Sequence, residues 1–271
     1  MTTLIKNVSF AILDVETTGF FHFSGDRICE IGILRIKDGK EEGTYNSLIN
    51  PLRPIPVPVS QITGITDDMV KNSRTFSEAA EDIMAIIKDA VIVCHNAPFD
   101  LGFINSHLKQ TGLPALDNPV IDTLVLARRY FKFPGNALGE IARYLDLRHN
   151  DKHRAMGDVL VTRLIFEHFL DEFKTVNSLD TLEELLDMQG DSFKFEDAGD
   201  FQVPPIIREA LKNKSTLKIT YRSKTGVERV REIKPIEVTR YKSSAYIVAF
   251  CNASMANRTF RLDRIIRMQL I

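Results

Sequence analysis

Ser9-Phe10-Ala11-Ile12-Leu13-Asp14-Val15-Glu16-Thr17-Thr18-Gly19 sets how the rest of the chain is read. From Val8 to Val15 the residues are nearly all apolar, with β-branched and aromatic members, as in a strand covered on both faces. The run closes on two acids spaced two apart. Side chains alternate along a strand, so Asp14 and Glu16 point the same way and crowd one spot at the strand end. Gly19 then lets the backbone turn sharply and come close to a ligand. A bare D-x-E at a strand end is usually a solvated terminus, so the weight falls on what surrounds it.

Outward from this strand, strand-like and helix-like patterns alternate. Ile28 to Ile36 and Thr44 to Ile49 read as strands, with a hairpin signal at Lys37-Asp38-Gly39-Lys40 between them. Pro51 to Pro58 reads as a stiff loop. Thr75 to Ala90 has helical spacing, Ala90 to Cys94 is a further buried strand, and helices are expected over 98–111, 121–131, 136–145 and 154–170. These patterns describe an α/β domain with mixed strands. Leu179, Leu182, Leu185 and Leu186 form a short amphipathic helix with a capping box at Thr181 and Glu184 and a stop at Gly190.

Two more acids fall where the chain turns next to a strand. Asp100 follows the buried strand in His95-Asn96-Ala97-Pro98-Phe99-Asp100, with Pro98 suited to a helix's first turn. Asp158 closes His153-Arg154-Ala155-Met156-Gly157-Asp158. Five helical steps turn about 140°, so His153 and Asp158 cannot share one helix face, and His153 is expected on a loop before the helix. Four carboxylates suit hard cations such as Mg²⁺ or Mn²⁺ and not zinc. Gathered together they repel unless metals neutralise them, and a pair of cations about 3.5 to 4 Å apart can hold and polarise a phosphodiester. A histidine beside them can take the proton of an attacking water.

Asp14-Val15-Glu16-Thr17-Thr18-Gly19, His95 to Asp100 and His153 to Asp158 together resemble the three motifs of the DEDDh (DnaQ-like) 3'→5' exonucleases. Ile62-Thr63-Gly64-Ile65-Thr66 and Asp122-Thr123-Leu124 resemble two further family segments, so the likeness runs over about residues 8 to 170. The resemblance implies an RNase H-like mixed sheet flanked by helices. It also implies two divalent cations, Mg²⁺ or Mn²⁺, on Asp14, Glu16, Asp100 and Asp158, with Asp14 touching both and His153 as general base. By the same resemblance, Thr17, Thr18, His95 and Asn96 line the pocket for the 3'-terminal nucleotide. From the residues alone, the two threonines serve equally well to satisfy a turn and His95 to cap a helix. Asp122 either orients a neighbour or caps a helix, the cap weighing more, and Phe99 and Phe103 read as core.

The composition allows this reading. The chain has 271 residues, 44% hydrophobic and 26% charged, enough for one large domain or two unequal ones. No stretch nears 18 apolar residues and Met1 to Leu13 lacks a secretory pattern, so a cytoplasmic protein without membrane partners is expected. Cys29, Cys94 and Cys251 are odd in number and far apart, which fits reduced thiols. The net charge of −1 hides a split: residues 1–200 hold 20 Lys and Arg against 31 Asp and Glu, while 201–271 hold 15 against 5. Such asymmetry suggests two modules with different partners.

Residues 217–271 show short β-rich runs at 217–221, 227–233, 246–251, 259–262 and 265–271, the pattern of a small barrel or sandwich. Tyr221, Arg231 with Pro235, Ser244 to Cys251 and Arg258 to Ile265 resemble the WYL domain, an SH3- or Sm-like β-barrel. Ala245 and Ile247 depart from the namesake triplet and leave only Tyr246. The expected plan is an exonuclease domain at 1–190, an acidic linker at 191–204 and a WYL domain at 205–271. The basic module suits nucleic acid, single-stranded DNA first and RNA second. Alternatively it senses a small nucleotide-like ligand through Arg231, Tyr246, Arg258 and Arg261. A rival for the whole chain is a ligand-sensing regulator with a non-catalytic nuclease fold, although no helix-turn-helix reader is apparent. Oligomeric state is not specified by the sequence.

Overall fold

The computed structural model describes residues 3–20, 22, 25–148, 153–190, 203–223, 226–241 and 244–271. Most of the expected linker and residues 224–225 lie outside the described residues. The chain separates into two compact units, one holding residues 26–190 with the N-terminal strand and the other holding the C-terminal 203–271.

In the first unit β1 (Ser9–Thr17), β2 (Ile28–Lys37) and β3 (Lys40–Leu48) form an antiparallel meander. Asp38 and Gly39 both have positive φ, 48° and 71°, as the two-residue hairpin turn requires. After α1 (Val57–Thr63), α2 (Asp67–Val70) and α3 (Phe76–Ile87), β4 (Val91–Cys94) joins β1 in parallel. Then come α4 (Ala97–Thr111), β5 (Val120–Asp122), α5 (Thr123–Tyr130), α6 (Leu138–Tyr144), α7 (Ala155–Asn177) and α8 (Leu182–Gln189). The sheet order is β3-β2-β1-β4-β5, so β1 is central, as its continuous apolar run demands.

Alternation on β1 feeds two cores. Ala11, Leu13 and Val15 pack with α3 and α4, while Phe10 and Ile12 pack with Leu34, Ile36 and the α7 residues Val159 and Phe166. Asp14 and Glu16 continue the second series and therefore stand on the α7 face. The capping box of α8 forms as expected, with Gly190 at its C-cap. Gln189 bonds the backbone of β5, donating to the Val120 carbonyl at 2.8 Å and accepting from Asp122 N at 2.5 Å, so α8 closes the open edge of that strand.

Several elements differ from the sequence expectation. Part of the expected Pro-rich loop is α1, because Pro58 falls in the first turn, where the missing N–H is no loss. Residues 120–122 are a strand before α5, not the helix start, since their short buried run carries no helical period.

The second unit starts with α9 (Pro205–Asn213), where a linker was expected to end. Pro205 sits in its first turn, and Ile207 and Ala210, three apart, bury one face. β6 (Leu217–Arg222), β7 (Glu228–Tyr241), β8 (Ser244–Cys251), β9 (Ala256–Arg261) and β10 (Ile265–Leu270) form an antiparallel sheet of order β10-β6-β7-β8-β9. β7 runs on through Pro235, whose missing N–H predicts a break; the pairing with β8 shifts register between Pro235 and Glu237 and absorbs it. Ile207, Leu217, Ile219, Ile233, Ile247 and Phe260 form this unit's own core.

Candidate active site

β4 ends at Cys94 and its pairing with β1 stops at Ile12, so the far end of β1 is open on that side. Asp100, in the first turn of α4, fills the gap: its Oδ1 accepts from Val15 N at 3.1 Å. Pro98 lies in the same turn, as expected. Asp158 lies in the first turn of α7, and His153 precedes that helix with φ 59°, exposed. One ligand atom each from Glu16, His153 and Asp158 lie within 4.8 Å of one another. Residues far apart in the sequence thus meet at one strand end.

The electrostatics show how crowded this point is. Burial first, then the carboxylates of Asp100, Asp158, Glu16 and Glu30, push the Asp14 carboxyl well above the usual carboxylate range. Burial likewise raises Asp100, against the lowering effect of the Val15 N–H. Glu16 is pushed up to about 8 by burial, Asp158 and Glu30, with Arg154 pulling the other way. A cluster of hard oxygen donors that repel one another suits a divalent cation.

This crowding has a measurable consequence in EDTA. The folded-state value of Glu16 lies above its ordinary 4.5. Its protonated form therefore stabilises the fold at low pH, and that stability is lost as pH rises from about 4.5 through about 8. The melting temperature of Glu16→Gln relative to wild type is expected to climb over this window. A difference that does not change with pH would rule the crowding out.

The residues expected around the substrate are occupied within the protein. Thr17 Oγ1 donates to the Gly19 carbonyl at 2.6 Å, and Thr18 Oγ1 accepts from Arg27 N at 3.0 Å. His95 Nε2 donates to the Asn136 carbonyl at 3.0 Å and its Nδ1 lies 2.9 Å from Thr123 Oγ1, so it does not cap α4. Asn96 turns in a left-handed conformation, φ 78°, and its N–H donates to Asp122 Oδ1 at 2.9 Å. The same oxygen accepts from Leu124 N, which makes Asp122 the N-cap of α5. Two residues received no role in the motif reading: Glu30, outside the motifs, and Arg154, within the third, bonded to each other beside the cluster. A single acid inside the apolar run Ile28 to Ile36 was their one signal.

In the second unit, Arg231 and Arg258 line a cavity of about 380 Å³ together with Arg229, Tyr221, Cys251 and Phe260. Tyr246 and Arg261, expected with them, are not among its lining residues. Arg261 is held by Asp263, with Nε–Oδ1 at 2.7 Å and Nη2–Oδ2 at 2.5 Å. All three cysteines are free and buried. Among the described residues, no helix is long and apolar enough to cross a membrane.

A sequence model of the exonuclease family, RNase_T, matches residues 11–166, and one of the WYL domain matches residues 202–270. The N-terminal unit is an exonuclease domain of the DEDDh type. The chain belongs to the exonuclease family. It is similar to the 3'-5' exonuclease DinG of Bacillus subtilis (strain 168), 39% identical over 166 residues, covering 61% of this chain and 18% of that protein. A PolC-type DNA polymerase III of Thermotoga petrophila is 35% identical over 184 residues, covering 67% of this chain and 13% of that one. The chain thus spans less than a fifth of the length of these curated relatives. Among solved structures, the nuclease domain of 3'hExo, a DEDDh family member bound to rAMP, shares the fold. Its TM-score is 0.55 at 17% identity, over 61% of this chain and 93% of that one.

Proposed function

We propose that the protein is a metal-dependent 3'→5' exonuclease that removes nucleoside monophosphates from DNA ends, with its basic C-terminal unit holding the strand. The observation that carries the reading is the meeting of Glu16, His153 and Asp158 at the end of β1, beside Asp14 and Asp100. Asp14, Glu16, Asp100 and Asp158 would hold two divalent cations, Mg²⁺ or Mn²⁺. Bound there, the cations would polarise the scissile phosphodiester and neutralise the charge that builds on it. His153, exposed at the mouth of the cluster, takes the proton of the attacking water. Thr17, Thr18, His95 and Asn96 would shape the backbone that receives the terminal nucleotide. DNA is favoured over RNA because the relatives named above include a DNA polymerase. The deciding experiment incubates the purified protein with end-labelled single- and double-stranded DNA and RNA in Mg²⁺, Mn²⁺ or EDTA. Stepwise loss of 3' nucleotides from DNA, abolished by EDTA, is expected, and preference for RNA would redirect the substrate.

The charge split supports the strand-holding role. Residues 1–200 are acidic in sum, so the catalytic unit has little long-range pull on a polyanion, whereas 201–271 are strongly basic. Removing residues 204–271 is expected to spare hydrolysis of very short oligonucleotides and to weaken binding of long strands. For every phosphate that the shortened protein no longer neutralises, the plot of log affinity against log salt should flatten by about 0.7 for single strands. Parallel salt plots for the two proteins would refute the role and favour a small-ligand sensor at Arg231 and Arg258.

A further inference from the structure

On β2 the residues paired across from Asp14 and Glu16 are Gly32 and Glu30. These two also stand on the face that α7 covers, since Leu34 and Ile36, two and four further along from Gly32, pack with that helix. Neither residue is what a buried strand would choose for packing. Gly32 has no side chain because α7 leaves no room for one: a Cβ there would lie 2.8 Å from the backbone of Ala155 and Met156. Glu30 is 2% exposed and stands directly opposite another acid, Glu16, an unfavourable pairing for a sheet.

The hydrogen bonds of Glu30 show what it does there. Its carboxylate accepts from Arg154 Nη2 at 2.6 Å and Nε at 3.0 Å, and from Ala155 N at 3.0 Å. The fork of a guanidinium on a carboxylate fixes orientation as well as position. Arg154 is the N-cap of α7, and its carbonyl accepts from Asp158 N at 3.0 Å. His153 immediately precedes it in a left-handed conformation that a non-glycine residue adopts only when its surroundings hold it. One anchored residue therefore has a cluster ligand one turn ahead and the histidine one step behind.

We propose that Glu30 is a positioning residue of the exonuclease site. Through Arg154 and the Ala155 N–H, over the flat surface of Gly32, it sets His153 and Asp158 at the height of Asp14 and Glu16. Packing does not need a buried carboxylate at Glu30 tied to the half-exposed Arg154, because an apolar residue of similar size often serves a core as well or better. The inference rests on the exonuclease reading for the roles of His153 and Asp158. The placement itself is geometric and is tested separately.

The test uses full-length Glu30→Gln, which keeps the shape but not the charge, and Arg154→Lys, which keeps the charge but not the fork. Each is expected to lower kcat roughly 10- to 100-fold, the usual effect of losing a partner behind a metal ligand, with KM little changed. Mn²⁺ affinity of the metal-free protein, read by calorimetry, should fall in Glu30→Gln. Arg154→Ala should regain part of its rate on adding guanidinium, whereas His153→Ala should not. A role confined to stability predicts something else: a lower melting temperature, with kcat and Mn²⁺ affinity per folded molecule equal to wild type. That result would overturn the proposal. Should Glu30→Gln fail to fold, Arg154→Lys, which leaves the Ala155 bond in place, carries the same comparison. An inactive wild type defeats the exonuclease reading, and the Mn²⁺ affinities of wild type and Glu30→Gln then still decide whether Glu30 positions the cluster.

Discussion

Asp14→Ala should leave the protein folded and without measurable hydrolysis, a loss on the order of 10³-fold or more. Asp14 stands where four other carboxylates converge, and burial together with Asp100, Asp158, Glu16 and Glu30 raises its carboxyl far above the ordinary range. Such a group is maintained against the interest of the metal-free fold. Like charges in a shielded spot repel, and alanine removes one of them without taking a residue from either hydrophobic core. In EDTA the variant should therefore melt at the same temperature as wild type or above it. With saturating Mn²⁺ the order should reverse, since wild type gains the binding free energy and the variant does not. End-labelled oligonucleotide assays and melting curves under both conditions check this together. Turnover near wild type would remove Asp14 from the chemistry, and collapse of the variant would assign it to the fold.

The same strand explains how much the sequence disclosed. β1 is legible because its apolar residues are continuous, its acids break the run at one end, and the alternation of a strand fixes their common face. The separation of His153 from the face of Asp158 is legible too, since it follows from helical geometry. That geometry leaves open how a loop residue and a helix residue meet the same point. The answer lies on β2, in Glu30 and Gly32, whose meaning depends on a helix about 125 residues later. Residue-level patterns carry no such distant pairings. Glu30 still leaves a trace: a carboxylate inside the otherwise apolar stretch Ile28 to Leu34 needs a partner, although the sequence does not name it.

Three of the departures from the expected elements share one cause, proline. Pro58 reads as a loop residue and Pro205 as the residue just past a linker, yet both sit in first helical turns, where the lost N–H and fixed φ suit the helix. Pro235 reads as the end of a strand, yet a register shift lets β7 continue. In each case the local rule is correct and the tertiary context selects its permitted exception. The C-terminal arginines illustrate a different gap. Arg231 and Arg258 are brought together with Arg229 from separate strands, while Arg261 is drawn away by Asp263 only two residues on. Charge counts alone could not separate the arginine that is tied from those that line the cavity.

His153→Ala should keep the metal cluster and lose about 10²- to 10⁴-fold in rate, the usual contribution of a positioned general base. The separation of roles follows from position. Asp14, Glu16, Asp100 and Asp158 are set by β1, α4 and α7, whereas His153 lies outside regular structure, exposed, with a ligand atom within 4.8 Å of Glu16 and Asp158. Removing its ring takes away a proton acceptor and leaves every carboxylate in place, so Mn²⁺ affinity and KM should stay near wild type while kcat falls. Added imidazole should restore part of the variant's rate, because the missing function is a proton acceptor and the vacated space is open to solvent. A variant with the wild-type rate would pass the proton to solvent or another residue. A variant that loses Mn²⁺ affinity in step with its rate would instead make His153 a ligand, and the chemistry would then need a different base.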